Sequence, residues 1–206
     1  MAMDRPHPSI RGFRLHPWGL QVLGCALLWG ALAGEVWAQS TTVTSPNAAF
    51  SRPEVAGLGG VVPTAPVRLR VWGFEVYDAR LWTPVGFRHG AYTQFSFALE
   101  LQYLRKLEGA AIASRSIDEM RRVGAFSEAQ AQSWGAAMRE LFPDVRQGER
   151  ITGINLPGVG AEFWVNGQRV GVVKDPAFAR MFFGIWLDER TSEPKMRAQL
   201  LQGLQP

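Results

Sequence analysis

Cysteine and histidine are scarce in this chain of 206 residues, which contains one cysteine and three histidines. A single cysteine excludes a disulfide framework and a thiolate-bound metal cluster, because both need several thiols. Long apolar runs are also lacking, since no stretch reaches the roughly 18–20 uninterrupted residues of a secure transmembrane helix. What the chain does have is 47% apolar and 19% charged residues, a composition typical of one globular domain.

The first 38 residues have the pattern of a secretory signal peptide. A basic start precedes an apolar run over residues 18–32, and Val36 and Ala38 then stand at the two positions that a signal peptidase inspects. We expect cleavage before Gln39 and export to the periplasm or beyond, by the Sec route. Two alternatives stay open: an anchor that is never cleaved, and a lipoprotein attached through Cys25, which ends a loose lipobox.

Cleavage at this position leaves His89 as the remaining histidine and no cysteine. Zinc sites and nucleophilic schemes of the Ser-His or Cys-His type then lack their usual groups, so we expect neither a metal nor a cofactor. His89 itself lies between two glycines and is predicted to be a solvated loop residue. The formal net charge of +4 for the whole chain suits solubility and not nucleic-acid binding.

Composition divides the rest of the chain into a leader and a domain. Residues 39–66 are rich in Ser, Thr, Pro and Gly, which predicts a flexible leader that buries no core. The folded domain is expected over residues 67–206. Its clearest strand is residues 94–103, where apolar and polar residues alternate strictly and predict one buried and one wetter face.

Local signals predict the remaining elements. Two helices are expected at residues 110–123 and after Ser127, which forms a capping box with Gln130. Three strands follow, and Asn166-Gly167 predicts a tight hairpin between the last two. Asp175 then caps a helix that is apolar nearly all round, and a short final helix closes the chain. The resulting order, β-β-β-α-α-β-β-β-α-α, predicts an α+β fold with an antiparallel sheet covered on one face by helices.

This domain resembles the chalcone isomerase-like family. The matching segments are residues 70–82 (RVWGFEVYDARLW), the long strand ending in Tyr103-Leu104-Arg105, the helix end at residues 121–124, and residues 148–167 and 175–187. The resemblance covers about residues 67–204. It implies an open-faced β-sandwich, in which a ligand lies in a cleft between the sheet and a layer of helices.

For catalytic members of the family, the resemblance implies closure of a chalcone to a flavanone. An arginine holds the phenolate, while a tyrosine, an asparagine and hydroxyl residues order water at the ketone. Carried over by position, the tyrosine falls on Glu108, the asparagine on Arg115 and the late threonine near Met181. The resemblance therefore implies the family fold without the family's groups at the ketone.

For non-catalytic members, the resemblance implies fatty-acid binding through an arginine and a tyrosine on neighbouring strands. The matching candidates are Arg68 or Arg70 with Tyr77, and Tyr103 is a further candidate. A guanidinium fork suits a carboxylate, and a phenol adds one directed donor. Alternation places Tyr77 on the opposite face from both arginines unless Gly73 bends or bulges the strand.

We therefore expect an exported, non-catalytic protein that binds an apolar anionic small molecule, such as a fatty acid, in the sheet–helix cleft. Its partner is then a small apolar or amphiphilic molecule, with no nucleic acid and no metal. An amphiphilic ligand also allows peripheral contact with a membrane. Two alternatives remain: an isomerase of the intramolecular lyase type, and an interaction protein without a small ligand.

Overall fold

A computed structural model describes residues 52–206 of the chain. The predicted signal peptide and the first part of the leader lie outside the described residues. The elements are α1 (Pro53–Ala56), β1 (Val62–Pro63), β2 (Val67–Val71), β3 (Phe74–Thr83), a 3-10 helix (His89–Gln94), β4 (Phe97–Tyr103), α2 (Gly109–Val123), α3 (Glu128–Leu141), β5 (Arg150–Leu156), β6 (Gly160–Val165), β7 (Gln168–Val173), α4 (Pro176–Leu187) and α5 (Pro194–Leu200).

Seven strands form one antiparallel sheet in the order β1-β3-β4-β5-β6-β7, and β2 pairs with the same strand β3 as β1 does. The predicted hairpin is confirmed, because Asn166 and Gly167 join β6 to β7 with φ values of 51° and 85°. Both values lie in the left-handed region that a two-residue hairpin turn of this type requires.

Helices cover one face of this sheet, which confirms the predicted α+β architecture. Helix α4 contacts β5 and β6, α5 contacts β2 and β3, and α3 contacts β7, while α2 packs on α3 and α4. The capping side chain of Asp175 accepts hydrogen bonds from the first turn of α4. Rings of α4 then meet rings of the sheet, with centroids 5.1 Å apart for Phe163 and Phe182 and 4.9 Å apart for Phe97 and Phe183.

The opposite face of the sheet is partly covered by residues that the composition assigned to the flexible leader. Residues 53–63 form α1 and β1, and Val55 packs against Ala98 in a second, smaller apolar cluster. Glu54 is buried, and its carboxylate accepts a hydrogen bond from Arg150 at 3.0 Å. Folded structure therefore begins before Val67, because α1 buries side chains on the sheet.

Strand β4 differs from its prediction in burial and in length. Residues 97–101 are all buried, including Glu100 on the face that alternation predicts to be wetter. Arg52 donates to the Glu100 carboxylate and covers it from the far side of the sheet. The strand is also shorter than predicted and begins at Phe97, since residues 89–94 form the 3-10 helix.

Candidate functional site

Two tyrosines stand side by side on the helix-covered face of the sheet. Tyr77 of β3 and Tyr103 of β4 are register partners, and their rings meet edge to face with centroids 6.0 Å apart. Trp186, in the last turn of α4, donates its indole Nε1–H to the Tyr77 hydroxyl at 3.0 Å. We refer to Tyr77, Tyr103 and Trp186 as the Tyr77 cluster.

The Tyr77 hydroxyl can still donate one hydrogen bond. Its oxygen accepts from Trp186, and within residues 52–206 no acceptor for its own O–H is found. A phenol whose oxygen is fixed and whose proton is free can donate to one further group. This makes the Tyr77 cluster a candidate binding point for a carbonyl or carboxylate.

Burial keeps both phenols of the Tyr77 cluster neutral. Desolvation raises the pKa of Tyr77 and of Tyr103 far above the ordinary value near 10, because the charged form loses its hydration. For Tyr77 the hydrogen bond from Trp186 lowers the pKa in part, and the carboxylates of Glu193 and Glu119 raise it again. A neutral phenol can donate a hydrogen bond to a ligand.

Helix α2 supplies charged groups beside the Tyr77 cluster. Arg115 and Arg122 bracket Glu119, with nitrogen–oxygen distances of 2.6 Å and 3.5 Å. The i,i+4 and i,i+3 spacings bring these side chains together on one face of the helix. The Glu119 side chain is 8% exposed, whereas Arg115 and Arg122 are 69% and 59% exposed. Two exposed cations therefore flank one buried carboxylate.

Arg68 and Arg70 do not lie at the Tyr77 cluster. Arg68 donates to both carboxylate oxygens of Asp78, at 2.7 Å and 2.8 Å, and both arginines donate to Glu75. These ion pairs are on the sheet face opposite the helices, so the structure brings Tyr77 together with Tyr103 but with neither arginine. The arginine–tyrosine pair implied by the resemblance is not formed.

Strand alternation separates Tyr77 from Arg68, and a bulge in β3 decides the face of Glu75. The register of β2 and β3 shifts between Leu69 and Arg70, because β3 contributes one extra residue, Val76, at that point. The extra residue keeps Glu75 on the arginine side and Tyr77 on the helix side. Gly73, whose bending of the strand was the condition for bringing Tyr77 and the arginines together, lies in the β2–β3 turn with a φ of 83°.

The sequence model of the chalcone isomerase-like family matches residues 65–202. This chain belongs to that family. An uncharacterized protein of Haemophilus influenzae is 29% identical over 131 residues, which are 63% of this chain and 63% of the length of that relative. A fatty-acid binding protein of Arabidopsis thaliana has a similar fold, with a TM-score of 0.52 and 13% sequence identity over 68% of this chain and 84% of its own.

The positions that correspond to the ketone-binding groups of the family do not supply those groups here. Glu108 is exposed and directly precedes α2, and Met181 is buried beside Gly124. Arg115 extends to the rim with its ion pair to Glu119. None of the residues at these three positions is a hydroxyl or amide donor.

Aromatic rings fill the space between the sheet and α4 in this family member. Two surface concavities of about 240 Å³ each are found among residues 52–206: one borders residues 83–87 and 203–205, and another lies between α2 and α3. A ligand that reaches the Tyr77 cluster therefore has to displace side chains.

Three further features bear on the class of site. His89 begins the 3-10 helix and is partly buried, so the predicted solvated loop is wrong; desolvation lowers its pKa. In residues 52–206 no group of three or more His, Cys, Asp or Glu side chains is arranged to hold a metal ion. The same part of the chain has no helix with the length and apolarity to cross a membrane.

The sequence indicated Tyr77 and Tyr103 as candidates but not the hydrogen bond of Trp186 or the burial of Glu119. The apolar pattern of α4 marked Trp186 as a core residue, and nothing in that pattern indicates where its indole N–H points. A signal for α2 was present, since Arg115 occupies the position of the family asparagine and stands four residues before Glu119.

Proposed function

We propose that this family member is an exported, non-catalytic binding protein for a small apolar molecule with a carboxylate head, such as a fatty acid. The observation that carries the proposal is the hydroxyl of the partly buried Tyr77, which is neutral, accepts a hydrogen bond from Trp186 and has no acceptor for its own proton within residues 52–206. The similar fold of the Arabidopsis fatty-acid binding protein supports the same ligand class.

In this proposal the ligand head accepts the Tyr77 hydrogen bond and Arg115 supplies the cation. Arg115 is preferred to Arg68, because Arg68 is already saturated by Asp78 and Glu75 on the other face. The apolar tail then replaces side chains between the sheet and α4. A buried donor and a nearby guanidinium together stabilise a carboxylate more than either does alone.

Ring closure of a chalcone has less support. That reaction needs donors at the ketone oxygen that hold the negative charge better in the transition state than in the substrate. Glu108 and Met181, which stand at the positions of the family's ketone donors, supply none. We expect 2′-hydroxychalcone to close no faster with the protein than in buffer.

The binding proposal is tested by calorimetric titration of the purified protein with oleate. Tyr77→Phe removes one buried hydrogen bond to a charged group and is expected to weaken binding about tenfold. Arg115→Gln should also weaken it, whereas Arg121→Gln, on the same helix and paired with Glu128, should not. Tight binding that is insensitive to Tyr77→Phe would reject this head-group site. Weakening by Arg68→Ala, and not by Arg115→Gln, would mean that Arg68 of β2 is the cation that binds the carboxylate.

A second experiment addresses the alternative of an interaction protein. Organic extraction of the purified protein, followed by mass spectrometry, is expected to release a bound fatty acid or similar amphiphile. Preparations that are repeatedly empty and that also fail to bind oleate would favour a protein without a small ligand.

Export is tested on the full chain expressed in a Gram-negative host. We expect a periplasmic protein whose intact mass corresponds to a start at Gln39. A product that retains Met1 would instead indicate an uncleaved anchor, and a lipid-modified product starting at Cys25 would indicate a lipoprotein.

A further inference from the structure

The β2–β3 hairpin ends in an exposed aromatic tip. Trp72 is 95% exposed and Phe74 62% exposed, and Val71 beside them is 39% exposed. Apolar side chains of this size rarely cluster on a surface without a binding role. We call Val71, Trp72 and Phe74 the hairpin tip.

The tip extends beyond the body of the sheet. Strand β4 pairs with β3 only from Tyr77 onward, through the pair Tyr77–Tyr103. Phe74 and Glu75 therefore pair only with Val71 and Arg70 at the end of β2. The tip is a projection and not a groove, so it can insert into a soft surface without a pocket of matching shape.

Trp72 occupies a backbone position that disfavours it. Trp72 and Gly73 have φ values of 50° and 83°, and the Asn166-Gly167 turn has nearly the same values, 51° and 85°. Asparagine is a preferred residue at the first position of such a turn, whereas bulky residues are strained there. The chain thus uses the favourable residue in one hairpin and a tryptophan in the geometrically equivalent one. Strain of this kind, held at an exposed position, points to function.

Cations surround the tip. The guanidinium of Arg105 lies over the Phe74 ring at 5.2 Å, and Lys106 beside it is exposed. Arg70, also exposed, shares the carboxylate of Glu75 with Arg68. The acidic group nearest the tip is thus neutralised, and Arg105 adds positive charge next to the Phe74 ring.

We infer that the hairpin tip inserts into the interface of a phospholipid bilayer with anionic headgroups. Tryptophan suits this interface, because its ring is apolar and its N–H can remain hydrated. Lysine and arginine beside it attract the anionic headgroups. The inference is independent of whether the Tyr77 cluster holds a ligand.

The test is co-sedimentation of the purified protein with vesicles of phosphatidylcholine and phosphatidylglycerol. The decisive variant is Trp72→Asn, which turns the tip into the favourable Asn-Gly turn. It should lower vesicle partitioning at least about tenfold, the effect of removing one large apolar side chain from an apolar environment. Its melting temperature should equal or exceed that of the wild type, so that lost binding cannot be attributed to unfolding.

Val85→Asn is the matched control, since Val85 is 90% exposed on a different loop and its replacement should leave partitioning unchanged. Phe74→Ser provides a second test should Trp72→Asn destabilise the chain. The wild-type protein should bind more weakly to vesicles of phosphatidylcholine alone than to vesicles that contain phosphatidylglycerol. Arg105→Gln should reduce this difference in binding between the two kinds of vesicle. Equal partitioning of wild type and both tip variants, or no binding of the wild type to anionic vesicles, would overturn the inference and leave a protein partner as the occupant of the tip.

Discussion

Trp186 and Tyr77 meet through one hydrogen bond of 3.0 Å that ties the last turn of α4 to β3. Trp186 is 8% exposed, so its indole N–H cannot readily exchange the tyrosine for water. The bond therefore fixes α4 over the sheet at the point proposed for the ligand head.

The first prediction concerns this bond. Tyr77→Phe leaves the buried indole N–H without an acceptor and should lower the free energy of unfolding by about 1–2 kcal/mol. Trp186→Phe also loses ring volume, so the pair is best compared in a double-mutant cycle by urea denaturation. A coupling energy of about 1 kcal/mol is expected for residues in direct contact. Strict additivity of the two substitutions would contradict the bond.

The second prediction uses all three tyrosines of the chain, which are Tyr77, Tyr92 and Tyr103. Burial raises the pKa of each above the ordinary 10, and that of Tyr92 to about 12. The stability linked to the raised values is fully present below pH 10 and is lost as the pH rises from there toward the folded-state pKa values.

Tyrosinate absorbance should therefore be absent from the native protein at the pH where free tyrosine is half ionised. It should appear at higher pH in one step, together with the loss of near-ultraviolet circular dichroism. The guanidinium-unfolded chain is the control and should titrate near pH 10, the unshifted value. A native phenol that ionises near pH 10 without unfolding would show that its side chain is solvated.

Short local signals predicted much of the fold correctly. Ser127 and Gln130 form the capping box, and Asp175 caps α4. Each depends on residues within a few positions, where side-chain and backbone geometry are strongly coupled. The class of fold then follows from the order of these elements.

Features set by distant contacts could not be predicted from the sequence. The buried carboxylate of Glu54 is paired with Arg150, which lies 96 residues later. No rule based on composition links these two residues. The extra residue in β3, Val76, likewise has no sequence signature, although strand alternation alone already separated Tyr77 from Arg68. The sequence thus indicated the two tyrosines as candidates, whereas Arg115, the cation proposed above, was not among its binding candidates.

The third prediction concerns the core under α4. Phe182 is 5% exposed and stacks on Phe178 with ring centroids 5.5 Å apart. Phe182→Ala removes a large buried ring and should lower the free energy of unfolding by about 3–5 kcal/mol. Phe74→Ala, at the exposed hairpin tip, is the control and should be nearly neutral. Similar small effects for both variants would mean that α4 does not lie on the sheet.

The last prediction concerns the segment that covers the other face of the sheet. The Glu54 side chain is fully buried, and its carboxylate meets Arg150 and Thr152 at 3.0 Å and 3.3 Å. Breaking a buried pair by removing one partner leaves the other charge uncompensated, which costs more than the pair contributes.

Glu54→Ala should therefore lower the free energy of unfolding by about 3 kcal/mol, measured by urea denaturation. Glu128→Ala is the matched control, because its ion pair with Arg121 is exposed and pairs of this kind contribute about 0.5 kcal/mol. Replacing both partners, as Glu54→Leu with Arg150→Met, should recover much of the loss, since an apolar pair needs no compensation. Equal small effects of Glu54→Ala and Glu128→Ala would mean that α1 does not bury its carboxylate on the sheet.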